Sequence, residues 1–294
     1  MTRTLVLVHG RAQEGKDPDR LKHEWLQALR GGLATQGLEL PLSDGDIRFP
    51  YYGQTLASLV ADPHAPAPGV VVKGRAGDRQ EEEFVGDALR EVARTAGVTE
   101  EQILDCADDV ALERGATDAA WVQAVLRALD LHVPGVSAGS IATVTRDVYR
   151  YLRHPGVRDA IEEGVRRALA PDRPAVVVGH SLGSVVAYNL LRREGTSRGW
   201  QVPLLVTVGS PLAVSAVRSS LAPLRYPEVV SAWFNARDPR DLVALHPLDA
   251  ARFPLDPAVE GFDGVVNTTA NRHGITGYLS DPVVAVRIRA ALLE

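Results

Sequence analysis

A single cysteine, Cys106, stands in 294 residues. No internal disulfide can form, and thiolate metal clusters and CxxC redox chemistry fall away with it; Cys106 reads as a small buried hydrophobe. Lysine occurs only at Lys16, Lys22 and Lys73, while arginine and alanine are frequent, a mark of biased genome composition rather than of a role for arginine. No run of five basic residues occurs and the formal net charge is −5, which argues against nucleic acid as a partner. No stretch approaches the roughly 18 uninterrupted apolar residues of a membrane span. The early run Leu5–Val8 ends at His9-Gly10, too short for the apolar region of a signal peptide. A cytoplasmic protein with no integral membrane segment is the expectation. There is no Walker loop, no G-x-G-x-x-G after a strand, no H-E-x-x-H and no pair of histidines at ligand spacing, so no cofactor and no metal are expected.

What is present suits a folded chain: 45% of the residues are hydrophobic and 23% charged, enough for one large α/β domain. Short apolar, β-branched runs bounded by turn residues alternate with longer helical stretches, the pattern of a mostly parallel sheet with helices on both faces. Six strands are predicted, at Leu5–Val8, Ile47–Phe49, Ala175–Val178, Leu204–Val208, Val229–Phe234 and Gly264–Val266. The third, fourth and fifth are apolar on both faces and belong at the sheet centre. Helices are predicted at Asp19–Leu33, about Thr143–Leu169, Ser184–Arg193 and Pro282–Leu293.

More than a hundred residues separate the second and third strands, far beyond an ordinary connection. Residues 53–144 therefore read as a helical insertion within one domain. In it Ala61–Gly69 is a Pro-rich loop, Asp78–Arg94, Thr99–Asp105 and Thr117–Leu131 are helical, and Pro134–Ser140 is a break. Trp121, Val122, Val125, Leu126 and Leu129 form an apolar stripe. Packing on the body is the favoured reading of the stripe; the alternative is a lid whose apolar face borders a substrate pocket.

The sharpest signal is Ala175-Val176-Val177-Val178-Gly179-His180-Ser181-Leu182-Gly183-Ser184, a buried strand running through G-x-S-x-G into a helix. A serine on such a turn is strained, with glycines two before and two after letting neighbouring backbone approach. The helix start offers free N–H groups, that of Leu182 among them, to a negative oxygen. The pentapeptide Gly179-His180-Ser181-Leu182-Gly183 resembles that of the serine lipases and esterases of the α/β-hydrolase superfamily, and the likeness covers Thr4–Tyr52 and about Asp147–Glu294. It implies an α/β-hydrolase fold and a triad in the order Ser, Asp or Glu, His.

After the strand Ser231-Ala232-Trp233-Phe234-Asn235 two aspartates compete for the acid. Asp241-Leu242-Val243 resembles the lipase pattern and Asp241 is preferred, with Asp238 second; the loser is a turn aspartate. For the base, His273-Gly274 follows the last predicted strand, whereas His246 lies too near the acid loop. Surface or structural roles are assigned to His23, His64, His132 and His154, and His180 is read as packing or bonding nearby. The resemblance places the second oxyanion donor after the first strand, where Val8-His9-Gly10-Arg11 makes Arg11 N–H the candidate and Ala12 the next. Substrate contacts are expected from His9, His180 and Tyr51; for Tyr52 and Trp233 packing is at least as strong a reading, and Ser210 is a turn residue.

Together these features predict a serine hydrolase cleaving a carboxylic ester through an acyl-enzyme, on a small-molecule or lipid-like acyl substrate. Thioesterase, amidase, peptidase and acyl-transfer chemistry use the same residues. A non-catalytic binding or regulatory protein on a hydrolase scaffold is the alternative of another class, although it has no need for both Ser181 and His273. Oligomeric state and acyl chain length leave no mark in the sequence.

Overall fold

The computed structural model describes residues 3–10, 15, 17–53, 76–107, 119–135 and 137–294. In chain order the elements are β1 (Thr4–Val8), α1 (Pro18–Ala34), β2 (Ile47–Arg48), α2 (Ala76–Thr95), α3 (Glu100–Asp105), α4 (Ala119–His132), α5 (Ala138–Arg153), α6 (Pro155–Ala168), β3 (Ala175–His180), α7 (Leu182–Arg198), β4 (Val202–Val208), α8 (Ser215–Ser220), β5 (Val230–Ala236), β6 (Glu260–Phe262), α9 (Ile275–Leu279) and α10 (Pro282–Leu293). Six strands form one sheet in the order β2-β1-β3-β4-β5-β6, and every neighbouring pair is parallel. The chain steps outward from β1 to β2, then returns to place β3 on the other side of β1. The strand order thus reverses between β1 and β3, and open α/β sheets bind ligands at the carboxyl ends of strands flanking such a reversal.

The two-residue period of a strand divides the core into two layers. Leu5 and Leu7 of β1, Val176 and Val178 of β3 and Leu204 and Val206 of β4 pack with Trp25 and Leu29 of α1 and Ile288 of α10. Val6 and Val8, Val177, and Leu205 face the other way, toward α7 and the helices of the insertion. Helix α7 has no solvent face in its first half: every residue from Leu182 to Leu191 is buried. It lies under α5 and α6. The three are joined by Glu162 of α6, fully buried, which accepts from Arg166, from Arg193 of α7 and from the Tyr151 hydroxyl of α5.

Several boundaries follow from local chemistry. Asp17 caps α1 through Asp19 N–H and Arg20 N–H, and Asp281 caps α10 through Val283 N–H and Val284 N–H, each with proline at the first helical position. The stretch Thr143–Leu169, predicted as one helix, is two: His154 precedes Pro155 and is held extended at φ −108° and ψ 104°, as the proline ring requires of the residue before it. Helix α7 runs past the predicted Arg193 to Arg198, where Gly199 closes it in the left-handed conformation.

The sixth strand is not Gly264–Val266 but Glu260–Phe262, paired with Phe234–Ala236. This edge strand faces solvent and carries a half-polar sequence, so the apolar signal favoured the wrong tripeptide; Val265 is buried in the loop beyond while Val266 is 65% exposed. In the insertion, Val122, Val125 and Leu129 of α4 are buried with Trp121 and Leu126 packed against the same cluster, and α4 lies on α2 and α5. The stripe is thus a packing face. The Pro-rich stretch 61–69 and His64 lie outside the described residues.

Adjacent glycines in α1 test the packing directly. A Cβ at Gly31 would meet nothing within 4 Å, whereas one at Gly32 would lie 2.9 Å from the carbonyl oxygens of Leu279 and Ser280. Gly31→Ala is expected to raise the unfolding free energy in urea by about 0.5–1 kcal/mol through helix propensity, and Gly32→Ala to lower it by about 1–3 kcal/mol through overpacking.

Candidate active site

Ser181 sits between β3 and α7 at φ 53° and ψ −125°, a region that costs a non-glycine residue about 1–3 kcal/mol. Its surroundings leave room for nothing else. A Cβ on Gly183 would come within 2.2 Å of the Val8 carbonyl oxygen, one on Gly179 within 2.7 Å of the Gly183 oxygen, and one on Gly10 within 2.9 Å of Ser181 Cβ. The end of β1 is therefore pressed against the serine turn. Ser181 N–H donates to Val208 O, and the Ser184 hydroxyl donates to Ser181 O and contacts the Ser210 hydroxyl at 2.7 Å. Ser210 also accepts from Leu212 N–H, as a turn residue does.

The side chain of Ser181 enters a chain of hydrogen bonds. His273 Nε2 lies 2.9 Å from Ser181 Oγ and His273 Nδ1 lies 2.7 Å from Asp241 Oδ2. The second carboxylate oxygen, Oδ1, accepts from the backbone N–H groups of Val243 and Ala244. With the carboxylate accepting at Nδ1, the imidazole proton resides there and Nε2 is free to accept from the hydroxyl. All three residues are buried, yet each borders a cavity of about 600 Å³.

The two aspartates take different partners. Asp238 does not touch His273: its oxygens accept from Arg240 N–H, from the Arg240 guanidinium at 3.1 Å, and from Asn267 N–H at 2.8 Å. Asn267 in turn donates to Gly274 O and accepts from Thr269. Asp238 thereby joins the loop after β5 to the loop that carries His273. Burial alone would raise its pKa, but the bonds from the Arg240 side chain and backbone and from Asn267, with the guanidinium charge, outweigh burial and hold it below the ordinary carboxylate range.

The other predicted contacts are spread around this centre. His180 lines the cavity, lies with its ring tilted 35° to that of His273 at 4.8 Å between centroids, and donates Nε2–H to His273 O at 2.8 Å. Burial first, then the neighbouring His273 and His9 rings, keep it well below the ordinary histidine range and neutral. His9 is buried with Nε2 accepting from Tyr52 N–H, so Nδ1–H donates to Gly10 O; it braces the loop after β1 and does not line the cavity. Tyr51 is half-buried beside His9 and packs in the α1 layer. Tyr52 donates to His9 O, and Trp233 donates to the Thr207 hydroxyl. Leu182 N–H lies in the first turn of α7, whose early N–H groups have no acceptor within the helix. Arg11 and Ala12 lie outside the described residues.

Three contributions had no clear sequence signal. Gly209, at φ 56°, clears space for three rings, since a Cβ there would lie 3.0 Å from Tyr278 Cε2 and 3.2 Å from both His180 Cδ2 and His273 Cε1. Tyr278 itself donates to Asp241 Oδ2 at 2.6 Å. Glu91 of α2 accepts from the Ser215 hydroxyl and backbone N–H and contacts His246 Nε2 at 2.7 Å, binding the insertion to the stretch just past the acid loop. A glycine after a strand, a tyrosine in a short helix and a glutamate on a charged one are each too common to single out.

Comparison with protein-family models, curated proteins and solved structures found no match. Among the described residues no group of three or more His, Cys, Asp or Glu side chains is placed to hold a metal ion, and no helix is long and apolar enough to cross a membrane.

The role of Asp238 carries a pH signature. A carboxylate whose folded-state pKa is depressed contributes stability above its unfolded pKa, about 3.9, and loses it as pH falls through the lower folded value. Asp238→Asn is expected to be less stable than wild type at pH 7 in urea unfolding, with the gap constant down to about pH 4 and closing below it.

Proposed function

We propose that this protein is a serine hydrolase of the α/β-hydrolase type that cleaves a carboxylic ester through an acyl-enzyme. The observation that carries the reading is the unbroken path from Ser181 Oγ through His273 to Asp241 Oδ2, at 2.9 and 2.7 Å, opening on a cavity. A hydroxyl is a poor nucleophile until a base takes its proton as it attacks. His273 Nε2 is placed to do so, and Asp241 holds the imidazole in the required tautomer and stabilises the imidazolium. Ser181 Oγ bonds to the acyl carbon, the carbonyl electrons move onto oxygen, and collapse expels the alcohol, which takes the proton from His273. Water then repeats the sequence on the acyl-enzyme and frees Ser181.

The oxyanion requires preorganised donors, each worth about 3–4 kcal/mol of barrier in known cases. Leu182 N–H is one, and the loop after β1 supplies the other, from Arg11 or Ala12; the packing of Gly10 on Ser181 supports that placement. The acyl part is assigned to the cavity wall formed by Ile141 and Val144 of α5 with Leu242 and Val243 of the acid loop. The same four residues border a smaller void of about 20 Å³ lined also by Ala88, Val92 and Val148. Apolar walls favour an apolar acyl chain.

Wild type is expected to react with a fluorophosphonate probe and to hydrolyse p-nitrophenyl esters, while Ser181→Ala does neither and His273→Ala or Asp241→Asn lowers kcat by about 10⁴-fold. Absence of both labelling and hydrolysis in a folded protein would refute the reading. Labelling without ester turnover would redirect it to thioesters or amides. Val144→Ala, which opens the wall toward the smaller void, is expected to move the optimum of an acetyl-to-palmitoyl series toward longer chains; an unchanged optimum would remove the acyl chain from that wall.

A further inference from the structure

Tyr278 is fully buried in α9, one turn beyond the loop that carries His273. Its hydroxyl has two partners: it donates to Asp241 Oδ2 at 2.6 Å and accepts from the Asp238 backbone N–H at 3.4 Å. Oδ2 is also the oxygen that faces His273 Nδ1 at 2.7 Å, whereas Oδ1 is occupied by the N–H groups of Val243 and Ala244. Phenol and imidazole thus compete for one oxygen, and the backbone donors leave the carboxylate little freedom to turn and separate them. Burial foremost, and then the adjacent Asp241 carboxylate, push the phenol far above the ordinary tyrosine range, so it remains a donor throughout the neutral region.

We propose that Tyr278 is a positioning residue for His273: by donating to Asp241 Oδ2 it fixes the carboxylate beneath the imidazole and limits how strongly that oxygen draws the Nδ1 proton. A carboxylate oxygen already engaged by a short O–H bond carries less charge for a second donor. Loss of the phenol oxygen leaves Asp241 a stronger acceptor, which stabilises the imidazolium. The ring then holds its proton to higher pH, and the neutral base needed to activate Ser181 is lost sooner on acidification. Among the described residues the other charged or titratable groups around this assembly are Asp238, with its own charge satisfied by Arg240; His180, which is neutral and lies with its ring centroid 6.1 Å from that of Tyr278; and Glu24, which lines the same cavity as His273. The structural part of the inference stands on geometry alone, and its catalytic consequence rests on the proposed hydrolase reading.

The test follows the His273 ring by NMR in resting protein, its resonance identified by loss in His273→Gln. In Tyr278→Phe the titration midpoint of the ring is expected about 0.5–1 pH unit above wild type, with the Nδ1 proton further downfield. With 3-fluorotyrosine at position 278, a stronger donor of nearly the same shape, the midpoint is expected to move the opposite way. Unchanged midpoints in both proteins would overturn the proposal; if the phenylalanine variant fails to fold, the fluorotyrosine protein decides alone. In ester hydrolysis the acid limb of kcat/KM is expected to shift with the ring midpoint while KM stays within about twofold of wild type, a pattern that a purely structural role would not produce. If the ring responds as expected but wild type shows no Ser181-dependent hydrolysis, the functional reading fails while the coupling of Tyr278 to His273 stands.

Discussion

Ser181 holds a positive φ between a strand and a helix, and this one backbone conformation organises the parts around it. The turn exists only because its neighbours lack side chains: Gly179 and Gly183 admit the serine turn and the end of β1, and Gly10 admits Ser181 itself. Close approach of β1 to β3 also sets Gly10, just past β1, against Ser181, at the point where the strand order reverses. Among the described residues the other non-glycine with positive φ is Arg272, the residue just before His273. Strain is therefore stored on both sides of the Ser181–His273 hydrogen bond, and the fully buried first half of α7 and the sheet beneath hold it in place.

Charge around the centre is arranged by separating two aspartates three positions apart. Asp238 is saturated by Arg240 and Asn267 and binds loops together; Asp241 keeps one oxygen for His273 and Tyr278. Placing the guanidinium on Asp238 rather than Asp241 leaves the carboxylate facing His273 without a competing ion pair. His180, neutral beneath His273 and bonded to its backbone oxygen, fixes the position of the ring without adding charge.

Much of this was legible in the chain. Strands buried on both faces announce themselves as apolar runs, and the sequence Gly179-His180-Ser181-Leu182-Gly183 between Val178 and Ser184 specifies a turn with few alternatives. The order of Asp241 and His273 followed from the family resemblance, and in the structure His273 contacts Ser181 through one ring nitrogen and Asp241 through the other. What was not legible depends on tertiary proximity. The edge strand Glu260–Phe262 has no buried face to impose a pattern, and the helix predicted over Thr143–Leu169 was carried through Pro155, which divides it. Tyr278 and Gly209 act through the space they occupy or vacate next to residues far away in sequence, which no local pattern records. The stripe on α4 was legible as a stripe, but only the packing shows that it faces α2 and α5 while α5 carries the wall of the cavity.

The contact of Glu91 with Ser215 and His246 bears on how such a chain can be dissected. The insertion is not a detachable module: its first described helix reaches a carboxylate into the body, where it meets the start of α8 and a histidine five residues beyond Asp241. Excising the segment, or grafting it onto another scaffold, would strip a partly buried polar joint on one side and uncover the face of α5 that packs on α2 and α4 on the other. A minimal version of this protein would therefore have to be redesigned at that seam rather than simply shortened.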